Sequence, residues 1–251
     1  MVLITRYGVI RYQIIINNLG GSNKNRPNLL VISDYFRIFA EKIKRTMKLI
    51  SIEEFLNKYK QSDTKIYEIV CSAIWFHDKT NQRYGDNETL PYGYHIVNVA
   101  NIAIECLQAQ GEGIHHIVFG AAFHDTIEDA RLTYNDVLRE ATMKLGSEFK
   151  QDVAATEIVY ALTNEKGRSR CERANDKYYN GIVNTPYARY IKLCDRYANM
   201  LYSLTESCEH GMGEKYKKEL PHFLEKLHIE PDQVNIQPYE ARVVKLIKEL
   251  L

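Results

Sequence analysis

The 251-residue chain has no apolar run approaching the 18 residues a membrane span requires; blocks such as Leu29–Ile32 are far too short. It has five cysteines, an odd number, and no C-x-x-C pair among Cys71, Cys106, Cys171, Cys194 and Cys208. This argues against a disulfide framework and for a reducing, cytoplasmic setting. There is no apolar segment followed by a small-residue cleavage site at the start, which argues against a secretory signal. Internal repeats and low-complexity stretches are missing too. Apolar residues at 45% and charged residues at 26% are ordinary for a globular protein.

The net charge of +1 conceals an asymmetry. Residues 1–46 hold eight Lys/Arg and two Asp/Glu, whereas residues 47–251 hold 25 and 30. The first segment offers two short apolar blocks, Ile14–Ile16 and Leu29–Ile32, around a Gly/Asn/Ser-rich stretch, and a basic amphipathic run over 34–44. Two isolated strands are marginal in water. We read 1–46 as a poorly ordered extension rather than a nucleic-acid arm, because the remaining 205 residues carry a net charge of −5. A different pattern opens at Met47: Ser51 and Glu54 form a capping-box signature ahead of Phe55 and Leu56.

From there apolar residues recur at helical spacing, and no period-2 strand is apparent. Ile66, Ile69, Val70, Ala73 and Phe76 share one face; Ile96, Val99, Ala100, Ala103 and Leu107 share another. Thr133 and Asp136 cap a helix, and Pro186 suits the first turn of one running through Leu201. The expectation is a single all-α domain of about eight or more helices over residues 47–251.

One polar cluster interrupts this pattern. His124, Asp125, Glu128 and Asp129 fall within six positions directly after apolar Val118–Phe123. Such groups are costly to bury without a counter-ion, and a divalent cation would supply one. Adjacent His and Asp can face one ion only near a helix end or bend. His95, opening an apolar helix, and Asp195, on an otherwise core-facing stripe, are the further candidates. Two imidazoles and two carboxylates form a mixed N/O donor set that suits Mn²⁺ or Fe²⁺ and is compatible with Zn²⁺, Co²⁺ or Mg²⁺. His115 and His116 are expected on the exposed side of a helix start. Lys166, Arg168, Arg170 and Arg173 form a basic stretch able to hold phosphates or simply to face solvent.

These residues occur in four ordered motifs: Pro91-Tyr92-Gly93-Tyr94-His95, Phe123 through Asp129, Ala161 through Lys166, and Lys192 through Asn199. Together they resemble the HD-domain metal-dependent phosphohydrolases, and within them the hydrolase domain of RelA/SpoT-type (p)ppGpp hydrolases. The resemblance implies an HD-domain helical bundle in which His95, His124, Asp125 and Asp195 hold a divalent metal, Mn²⁺ first. It implies proton handling by Glu128 and Asp129, and nucleotide contacts from Arg83, Thr163, Asn199 and Lys166. The expected reaction is hydrolysis of a nucleotide phosphoester or pyrophosphate, (p)ppGpp first, with no synthetase activity. The alternatives are a nucleotidase or phosphodiesterase acting on another nucleotide, and a non-catalytic nucleotide-sensing module. The family's A-H-x-G-Q-x-R becomes Phe76-His77-Asp78-Lys79-Thr80-Asn81-Gln82-Arg83, with altered spacing where the base would be read, and its Pro after the metal His is Ile96.

Overall fold

The computed structural model describes residues 47–109, 111–207, 211–230 and 235–251. The expectation for 1–46 falls outside them.

The helices begin where the sequence supplies caps. In α1 (Ile52–Ser62) the Ser51 hydroxyl oxygen accepts from the Glu54 N–H at 3.0 Å. Asp63 starts α2 (Thr64–Lys79) by accepting from the Ile66 N–H. A two-residue antiparallel ribbon follows, β1 (Arg83–Tyr84) on β2 (Leu90–Pro91). It is too short to leave an alternating signature, which is why strand was not expected here. Next come α3 (Gly93–Leu107) and α4 (His115–Phe123). The full capping box of Thr133 and Asp136 opens α5 (Tyr134–Leu145), as the sequence indicated. Then follow α6 (Gln151–Leu162), the single turn α7 (Arg170–Arg173), α8 (Asp176–Asn184), α9 (Ala188–Thr205), α10 (Gly211–Lys226) and α11 (Pro238–Glu249). Helix α9 starts two residues beyond Pro186, because Tyr187 takes a left-handed φ of 65° at its N-cap. The all-α expectation therefore holds.

Helix α3 is the axis of the fold. Its periodicity suggested one buried face, yet Ile96 through Ala103 are all buried. Val99, Ile102 and Ala103 join an apolar cluster with α9 and α11, whereas Ile96, Val97 and Ala100 join a second with α1, α2 and α4. A helix packed on all sides needs little polar surface. Asn98 is tolerated because its amide is fully used: Oδ1 accepts from the Ile50 N–H, and Nδ2 donates to the Ile50 and Tyr94 carbonyls. Helix α4 is likewise enclosed, and Gly120 is required there, since a Cβ would approach Ile158 of α6 to 2.5 Å. His115 is buried, not exposed as expected. Asp63 lies 2.9 Å from its Nε2, a partner 52 residues away that the local sequence cannot reveal.

Candidate metal centre

Three helices bring the site together. His95 lies in the first turn of α3, Asp195 in the middle of α9, and His124 caps the C-terminus of α4 with Asp125 beyond it. The helix-end position anticipated for the His-Asp pair is observed. It lets two neighbouring side chains turn inward.

The two imidazoles are 2% exposed, and their Nε2 atoms are 3.3 Å apart. Asp195 Oδ1 is 3.3 Å from His95 Nε2 and 3.9 Å from His124 Nε2. Asp125 Oδ2 is 2.8 Å from His124 Nε2 and 3.9 Å from His95 Nε2. One ligand atom each from His95, His124 and Asp195 falls within 4.8 Å of the others, with Asp125 on the His124 side. A cation with bonds of about 2.0–2.2 Å places neighbouring ligand atoms about 3.0–3.6 Å apart. The His95–His124 and His95–Asp195 separations fall in that range, and the donor chemistry suits a divalent ion.

The surrounding groups orient these donors. His124 Nδ1 lies 2.9 Å from the Ala121 carbonyl, so a proton there leaves Nε2 facing the carboxylates. The Tyr92 hydroxyl donates to Asp125 Oδ2. Asn199 Nδ2 donates to Asp195 Oδ1 at 2.6 Å and Lys192 Nζ to Oδ2 at 3.1 Å. Tyr84 stacks on His95, ring centroids 5.0 Å apart, and its hydroxyl donates to Asn199 Oδ1. Tyr84, Tyr92 and Lys192 had no assigned role in the sequence reading. Lys192 alone left a local trace, one helical turn before Asp195.

Burial opposes the His124 imidazolium, but Asp125, Asp195 and the Ala121 carbonyl outweigh it and push its pKa up to about 9. Burial also opposes both carboxylates. His124 and His95 hold Asp125 below the usual range, and Lys192, His95 and His124 do the same for Asp195. The metal-free protein should therefore lose stability as pH rises from His124's unfolded value near 6.5 through about 9. It should lose it again below the ordinary carboxylate value of 3.8, as Asp125 and Asp195 take up protons. Melting temperatures measured with a chelator across this range should peak between those limits. A Tm that climbs from pH 6.5 to 9 would contradict the assignment.

The other candidates are placed as follows. Asp129 is half-buried, and burial and the Asp125 charge raise its pKa, partly offset by a hydrogen bond from Gln82. Glu128 is exposed and accepts from Asn164. Asn199 lines an open cavity beside Asp195, together with Asn164, Arg173, Lys192, Arg196 and Tyr178. The Thr163 hydroxyl donates to the Val159 carbonyl within α6, and its neighbour Asn164 faces the cavity instead. Lys166 is exposed. Arg83 is exposed and bonds its own loop: its guanidinium donates to the Glu88 carbonyl at 3.1 Å and the Thr89 carbonyl at 2.7 Å. No helix among the described residues is long and apolar enough to cross a membrane.

No protein-family model matches the chain, and no curated protein matches it significantly. A solved structure does: that of a metazoan ortholog of SpoT described as hydrolysing ppGpp and playing a role in starvation responses. The two chains are 20% identical with a TM-score of 0.53, over 74% of this chain and 97% of the other. At that identity the shared property is the fold, an all-α helical bundle.

Proposed function

We propose that the chain is a metal-dependent phosphohydrolase acting on a nucleotide that carries a pyrophosphate, with (p)ppGpp the first substrate to test. The observation that carries this reading is the convergence of His95, His124 and Asp195, with Asp125 against His124, beside a cationic cavity. The fold shared with a protein described as hydrolysing ppGpp supports it.

In this reading His95 and His124 Nε2, Asp125 Oδ2 and Asp195 Oδ1 hold the ion, Mn²⁺ being well suited to the mixed N/O set. When bound, a divalent cation offsets charge on phosphoryl oxygens and lowers the pKa of a coordinated water. The chain's own groups do the rest. Asp129 takes a proton from the attacking water and returns it to the leaving oxygen. Its raised pKa suits both steps. Lys192, Arg173 and Arg196 supply positive charge to the cavity wall, where the phosphates would lie.

The bonds from Arg83 to the Glu88 and Thr89 carbonyls favour a second reading at the level of the base. An arginine held by its own loop has fewer donors left for guanine, so a nucleotidase or phosphodiesterase acting on another nucleotide is the alternative. Purified protein with Mn²⁺ should be assayed against a nucleotide panel including ppGpp and simple phosphomonoesters. Release of pyrophosphate from ppGpp, abolished by chelator, is the expected result. Binding without turnover of any nucleotide would instead favour a sensing module. A chain starting at Met47 should keep its melting temperature and its activity to within error. A large loss of either would reveal a role for residues 1–46.

A further inference from the structure

The two adjacent acidic residues of the site are engaged differently. Both Glu128 oxygens accept from Asn164, Oε1 from the backbone N–H and Oε2 from the side-chain Nδ2 at 2.8 Å. These residues are 36 positions apart, so the bond pair ties the turn after α4 to the loop after α6. That loop is bound to itself. The Glu165 N–H donates to the Arg173 carbonyl at 3.1 Å, and the Arg168 N–H to Glu172 Oε2 at 2.7 Å. A Cβ on Gly167 would approach the Glu172 side chain to 2.7 Å, so the loop closes without spare room. It behaves as one piece, and it brings Asn164 and Arg173 to the cavity beside Asp195.

We infer that Glu128 is a positioning residue whose carboxylate clamps the 163–173 loop, and its Arg173 cation, against the site, leaving Asp129 as the proton-handling group. This deepens the hydrolase reading and rests on it. A general base must lie within hydrogen-bond reach of the water it deprotonates. A carboxylate with both oxygens held by one distant residue is oriented by that residue. Asp129 is half-buried and takes a hydrogen bond from Gln82.

The test separates a clamp from a base because glutamine can serve as the first and not the second. Glu128→Gln keeps one acceptor oxygen for Asn164 but cannot take a proton from water; Glu128→Ala keeps neither. For a clamp, Glu128→Ala should raise the nucleotide KM by about tenfold, with a smaller effect on kcat, and Glu128→Gln should recover much of that loss. Asn164→Ala should resemble Glu128→Ala in kind, and the double variant should be no worse than Glu128→Ala alone. Trypsin should cut after exposed Lys166 and Arg168 faster in Glu128→Ala and Asn164→Ala than in the parent, with Glu128→Gln between. Collapse of kcat in Glu128→Gln to the level of Glu128→Ala, with parental cleavage rates, would overturn the inference. Proteolysis needs no turnover, so the two readings fail separately. If the parent hydrolyses no nucleotide but the cleavage order holds, the hydrolase reading falls and the clamp stands. Parental cleavage rates in both Glu128→Ala and Asn164→Ala remove the clamp whatever the activity.

Discussion

Asp129→Asn is expected to lower turnover by a factor of about 10²–10⁴, the usual contribution of a general base. The amide matches the carboxylate in shape, so fold and bound metal should be retained. Nucleotide affinity should hold or tighten slightly, because one negative charge beside a polyanion is gone. The parent's rate should also carry an acid limb. Asp129 must be ionised to accept a proton, and its pKa lies above 3.8, raised by burial and the Asp125 charge. Activity should therefore fall as pH drops through that elevated value, and the residual activity of Asp129→Asn should lack the limb. Measuring bound metal, affinity and the pH–rate profile on parent and variant tests each part. Unchanged turnover in Asp129→Asn would exclude the mechanism.

The helical architecture was legible because one property repeated along the chain. Apolar residues three and four apart mark a buried face, and Thr133 with Asp136 marks a helix start wherever it occurs. What escaped were features set by distant neighbours. Helix α3 gave a one-sided pattern but is enclosed on all sides, because Asn98 and Asn101 look polar in sequence and are buried in the structure. His115 looked like a surface residue because Asp63 is 52 positions away. The ribbon Arg83–Pro91 spans two residues on each side, too few for any period.

The same division runs through the site. His124 and Asp125 were visible as charge directly after an apolar run, and Asp195 as charge within an apolar stripe, since burial of such groups demands a partner. The tyrosines that orient them from a distance were not visible. Tyr92 reaches Asp125 across 33 positions and Tyr84 reaches Asn199 across 115. Asn164 stood in a quoted motif without a role, and only the fold brings Glu128 to it. Arg83 directs two of its donors at its own loop, a contact that motif spacing does not reveal.

Removing a ligand should have a larger effect than removing the base, because it acts on binding and chemistry together. His124→Ala and Asp195→Ala are each expected to weaken divalent-metal affinity by more than about a hundredfold, since loss of even an outer-shell partner costs about 10–100-fold. Turnover should disappear with the metal and return only in part at high Mn²⁺. The two variants should differ in the metal-free state. Without His124, Asp125 loses the main cation that holds its pKa down and Asp195 loses one of three, and the alkaline loss of stability near pH 9 should vanish. Without Asp195, half-buried Lys192 keeps its ammonium but loses its carboxylate partner, so stability should fall even with chelator present. Metal titration and chelator-treated melting curves on both variants read these effects independently of any substrate. Full metal affinity in Asp195→Ala would show that the cation, if bound, is held by the other three groups, and would move Asp195 from ligand to counter-ion of Lys192.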